Sequence, residues 1–190
     1  MEKEKAKFFK NAEALRKWLE KNCDKKKEIW LGFYKKSSGK VGITSAEALD
    51  TVLCFGWIDG VRMSIDEISY ANRYTPRTSK SKWSKINTEK VEQLIKAGLM
   101  TSAGLKAVEE AKADGRWGRA YDSPRNAQVP KDFLTALKKN KKASAFFKAL
   151  NKQNLFSITY RLQNSKKIET REKWIEKIID MLAEGKKFHL

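Results

Sequence analysis

The chain's 190 residues carry 41 Lys and Arg against 23 Asp and Glu, a formal net charge of +18, with 41% hydrophobic residues that include six Trp and nine Phe. That apolar content fills one sizeable interior, and three prolines interrupt it little, so the composition disfavours intrinsic disorder. No run reaches the roughly 18 apolar residues of a spanning helix, Met1–Lys5 leads into no secretory h-region, and Cys23 and Cys54 fit no metal or C-x-x-C spacing. A cytoplasmic protein with two structural thiols is expected.

Ala12, Leu15, Trp18 and Leu19 recur at helical spacing and predict a first amphipathic helix, broken by residues 22–27. The aromatic run 28–35 predicts a strand closed by a turn at Ser37–Gly39. Thr44 and Glu47 have the spacing of a capping box opening a helix that runs to about Phe55, with Gly56 as its stop. From Trp57 to Ile65 the period becomes two, and a second run from Ser69 to Thr75 predicts its antiparallel partner, with Pro76 closing the sheet. On this alternation Trp57, Asp59, Val61 and Met63 share one face, which draws the Asp59 carboxylate partly out of water. Beyond it, residues 88–97, 102–113, 130–139, 143–151 and 170–184 read as helices, and 114–128 as a connector.

The expected fold class is α+β: a small sheet of about three strands packed by helices over residues 1–128, followed by an all-helical module over 129–190. The positive charge is spread along the chain, yet one interval stands apart. Between Asp132 and Glu169 there is no acid, while Lys138, Lys139, Lys141, Lys142, Lys148, Lys152, Arg161, Lys166 and Lys167 fall within it. Uncompensated charge of that density attracts polyanions; a solvated surface serving solubility is the alternative.

Histidine-dependent catalysis and metal binding are disfavoured, because His189 is the chain's one histidine. The glycines at 98 and 104 do not have P-loop spacing, and no dinucleotide fingerprint is present. No cofactor and no metal are therefore expected. Asp59 is the candidate catalytic residue, as a general base, with an internal ion pair as the competing explanation. Residues 76–85 alternate hydroxyls and cations around Trp83 just before a helix start, a composition suited to an anionic ligand. Trp57, Asp59, Arg73, Arg77, Trp83 and Lys85 are the candidate ligand-binding residues, and Trp83 could offer a stacking face to a base.

The blocks Phe55–Gly60, Pro76–Arg77, Trp83–Asn87 and Ala111–Trp117 resemble the signature blocks of the bacterial YdeI/OmpD-associated proteins. Pro130–Leu137, Ala145–Phe147, Tyr160–Leu162 and Glu169–Arg171 resemble that family's helical C-terminal module, OmdA. Family labels of bacteriocin protection and porin association imply a phenotype and a partner without a defined reaction. One departure is visible: Cys23 follows Asn22 where relatives often carry a histidine. Three functions remain open: a non-enzymatic protein binding an anionic ligand or acidic protein, with nucleic acid possible; an enzyme on a small anionic substrate; and a protein-interaction scaffold.

Overall fold

The computed structural model of the chain describes residues 6–123, 128–165 and 167–188, so Met1–Lys5, Lys166 and His189 lie outside the described residues. Two compact units divide the chain: residues through Trp83 with Asn87–Ala120, and Ser84–Ile86 with the residues from Tyr121 onward.

The first unit opens with a two-residue strand β1 (Lys7–Phe8) and helix α1 (Ala12–Asn22). Asn11 caps α1 by accepting from the Ala14 amide, and Leu15 and Leu19, one turn apart, are fully buried. Strand β2 (Ile29–Tyr34) leads through a 3₁₀ turn (Lys36–Ser38) to α2 (Ser45–Cys54). The capping box forms as the spacing predicts: the Glu47 amide donates to Thr44 Oγ1 at 3.2 Å, and the Thr44 amide to Glu47 Oε2 at 2.8 Å. β3 (Trp57–Ser64) and β4 (Ser69–Pro76) form the antiparallel ribbon, and α3 (Lys85–Lys96) and α4 (Ser102–Ala113) follow.

The fold is α+β, with four strands where the alternation gave three, in the order β1-β2-β4-β3. The additional strand is too short to show a period, and it pairs parallel to β2 with Phe8 opposite Gly32. A Cβ on Gly32 would lie 2.5 Å from the Phe8 ring, so the absent side chain is what lets that ring cover the strand. The opposite face carries Ile29, Leu31, Phe33 and Tyr74 into one core with Leu15, Leu19, Val52 and Trp57. Side chains of this kind contribute about 1.5–3 kcal/mol each when buried.

The second unit contains α5 (Lys131–Leu137), α6 (Lys141–Lys148), α7 (Lys152–Gln163) and α8 (Ile168–Ala183). Helix α7 is absent from the periodicity because its buried stripe begins on a polar residue: Asn154, Ile158, Thr159 and Leu162 face inward. Phe133, Leu137, Ile158, Leu162, Ile178 and Leu182 form the core. In the stripe expected on α8, Ile175, Ile178 and Leu182 are buried, and Trp174 and Ile179 only partly so. Arg171 pins this bundle: it forks onto Asp132 at 2.6 and 3.0 Å and donates to the Leu162 carbonyl, joining α8 to α5 and α7.

Helix α4 packs backbone to backbone on the end of α2, where a Cβ on Gly104 would stand 2.2 Å from the Cys54 carbonyl oxygen. Helix propensity favours alanine over glycine by about 1 kcal/mol, but this obstacle is backbone that cannot rotate away. Gly104→Ala is therefore expected to destabilise the protein by about 1–3 kcal/mol in urea unfolding; a gain in stability would contradict the packing.

Candidate functional site

Asp59 sits on the inward-facing side of the β3–β4 ribbon, opposite Tyr74, as Trp57 sits opposite Pro76. A β-bulge between Asp59 and Arg62 then shifts the register, so Arg62 pairs with Asn72 and Met63 with Ala71. This corrects the expected alternation: Arg62 and Ser64 share the face of Trp57 and Asp59, and Met63 turns to the other side. Val61 is 63% exposed. Asp59 is also exposed rather than drawn out of water, on the edge strand of the sheet at the start of the bulge.

Around it stands a small polar cluster. Arg62 Nε donates to Asn72 Oδ1 at 3.0 Å, and its guanidinium lies 4.3 Å from the centre of the Tyr70 ring. Tyr74 is 1% exposed. Its phenol is pushed up to about 12, first by burial and further by the Asp59 and Tyr70 charges, against a hydrogen bond with Asn72 that lowers it. At neutral pH this phenol is a fixed neutral group, and Asp59 beside it is exposed.

The segment after β4 is held by cations and rings. The Arg77 amide donates to the Gly56 carbonyl at 2.9 Å, its Nη1 to the Lys82 carbonyl at 3.0 Å, and its guanidinium stacks 3.4 Å from the Trp83 ring centre. Trp83 is 2% exposed, covered on another side by Trp117 at 4.8 Å between centroids. The indole expected to stack on a base is therefore a packed residue, as is Trp57 at 1% exposure. Arg116, only 14% exposed, donates to the Thr78 and Ser81 carbonyls at 3.1 and 3.2 Å while paired with Asp114 at 2.6 Å.

Arg73 pairs with Glu28 at 2.6 Å. Lys85 belongs to the second unit, where it pairs with Asp122 at 2.6 Å; Gln163 donates to the other carboxylate oxygen. The Lys85 ammonium, then Gln163, hold the Asp122 carboxyl below the usual range. Within the first unit the structure thus brings together Trp57 and Asp59 on one face, and Arg77 with Trp83. Sequence reasoning missed Arg62, Asn72, Tyr74 and Arg116. The period-two spacing of Tyr70, Asn72 and Tyr74 could have revealed the first three; nothing local reveals that Arg116 reaches Thr78.

Cys23 and Cys54 are unbridged, and burial is the first cause pushing each thiol up. Among the described residues no group of three or more His, Cys, Asp or Glu side chains could hold a metal ion, and no helix is long and apolar enough to cross a membrane.

Residues 7–107, just over half of the 190, match the family model described as a domain of unknown function, DUF8412, and the chain belongs to that family. Residues 126–185 match the model described as bacteriocin-protection, YdeI or OmpD-associated, the OmdA domain that the C-terminal blocks resemble. The N-terminal blocks through Ala107 fall in the first match. No curated protein and no solved structure matches the chain.

A raised phenol is neutral in the folded protein where an unfolded one ionises, so its contribution is complete below pH 10 and lost as pH rises from about 10 to 12. Tyr74→Phe is expected to flatten the decline of urea-measured stability across that window relative to the unsubstituted protein. Equal declines in both would contradict the buried phenol.

Proposed function

We propose that the protein is a binding protein whose basic surface takes an anionic macromolecule, with the lysines of α5 to α7 and their connections as the main contact. The observation that carries this reading is their exposure: Lys138, Lys139, Lys141, Lys142, Lys148, Lys152, Arg161 and Lys167 are all exposed within the interval that contains no acid. Helix dipoles support it further. A helix start bears partial positive charge and is stabilised by acids, yet α6 begins with Lys141 and Lys142 and α7 with Lys152, and neither has an acid in its first turn. Their caps, Asn140 and Asn151, are neutral. Cations and helix dipoles thus reinforce one another, an arrangement that costs stability in isolation and favours an anion.

The candidate residues of the front unit contribute less to this surface. Trp57 and Trp83 are packed, Arg73 and Lys85 are paired with carboxylates, and Arg77 is stacked and bonded to a carbonyl. A cytoplasmic location, the setting that two unpaired thiols favour, completes the proposal.

Binding to labelled duplex DNA and to polyglutamate, measured by fluorescence anisotropy across a salt series, tests the reading. Affinity is expected to fall steeply with salt. For DNA, replacing Lys138, Lys139, Lys141 and Lys142 together by Gln should reduce the slope of log K against log salt by about 3 to 4, near 0.9 per lost contact. Binding to neither probe at low salt, or salt-independent affinity, contradicts it.

A further inference from the structure

A depression of about 380 Å³ opens in the first unit where the end of α1 meets the start of α4, its lining including Glu20, Cys23, Asp24, Phe55, Ser102 and Lys106. That volume lies at the lower end of the range for small-molecule sites, about 300–1,000 Å³. Its two walls differ in sign. On one side are the Glu20 and Asp24 carboxylates, both exposed, together with the carbonyl end of α1 and its negative partial charge. On the other is the amide end of α4. Thr101 caps the Gly104 amide, Ser102 and Ala103 occupy the first two helical positions, and the Lys106 ammonium follows one turn on.

Between the walls lies Phe55, 5% exposed and apolar. Arg16 holds it from the side: its guanidinium sits 5.4 Å from the ring centre and donates to the Leu99 carbonyl at 3.2 Å. Its contact with Glu20 is a long one, at 3.4 Å. The Glu20 side chain stays 52% exposed at the mouth of the depression. Neither helix end would make a site alone. What distinguishes this place is that a concave surface sets a negative wall against a positive one across an apolar floor, within a single unit.

We propose that the depression binds a small zwitterion of the amino acid or short-peptide class, its ammonium between Glu20 and Asp24 and its carboxylate on the Ser102 and Ala103 amides and Lys106. Charge-assisted hydrogen bonds at both ends give the selectivity, because a ligand lacking either charge leaves one wall unmatched. The Cys23 thiol at the rim is pushed up first by burial and then by the Asp24 charge, which disfavours the nucleophilic thiolate. This inference is independent of polyanion binding, which rests on the second unit.

The test is a titration of the ¹⁵N-labelled full chain with the dipeptide Ala-Ala, followed by amide chemical shifts, beside its N-acetylated and C-amidated forms. Saturable shifts are expected at Asp24, Ser102 and Ala103, with each capped form binding at least about tenfold more weakly. Lys106→Gln and Asp24→Asn, both at exposed positions, should each weaken binding by about tenfold while leaving the remaining spectrum dispersed. Absence of saturable shifts at these amides overturns the proposal, as does equal binding of the capped forms or unchanged affinity in both variants.

Discussion

With 41 cationic side chains against 23 carboxylates, this chain must fold against its own positive field. Several of its carboxylates pair with cations that lie against packed segments. Asp132 receives Arg171 beside the bundle core, Asp114 receives Arg116, Asp122 receives Lys85, and Glu28 receives Arg73. Where acids run short, carbonyls and rings take their place: Arg77 on Trp83, Arg62 on Tyr70, Arg161 on Trp174. Exposed pairs of this kind contribute little individually, about 0–1 kcal/mol. Collectively they decide which cations are tied down and which remain for a partner.

The candidate site follows from the same economy of charge. The bulge in the middle of β3 brings Arg62 onto the face of Tyr70 and Asn72, where ring and amide hold it, and leaves Asp59 exposed beside a buried neutral phenol. The loop rich in hydroxyls and cations is clamped rather than open, because Arg116 takes two of its carbonyls and Trp83 is wedged between Arg77 and Trp117. The lysines of the acid-free helices are exposed, with no carboxylate in their own interval of the sequence. The proposed function is placed there for that reason.

Most of the architecture was legible because periodicity reports burial. Leu15 and Leu19 one turn apart, the Thr44 and Glu47 capping box, and the alternation into β4 each encode their element within a few residues. Two elements escaped for opposite reasons. β1 spans a single period of two residues, and α7 buries Asn154 and Thr159, which a hydrophobic pattern reads as surface. The site was less legible because its geometry depends on a one-residue register shift and on contacts between distant segments. Alternation alone put Asp59 with Val61 and Met63, whereas the bulge put it with Arg62. Trp83 reads as an exposed aromatic until Trp117 is seen packed on it.

The account turns on positive charge in excess of what the fold neutralises, and unfolding free energy as a function of ionic strength measures that directly. Urea, being uncharged, allows the comparison between about 20 mM and about 500 mM NaCl, where the screening length shrinks severalfold. Stability that rises with salt is the expected result, since screening relieves repulsion among the unpaired lysines. Stability that falls, or does not change, would mean that attractive pairs already balance the charge and that no surplus surface is held ready for an anion.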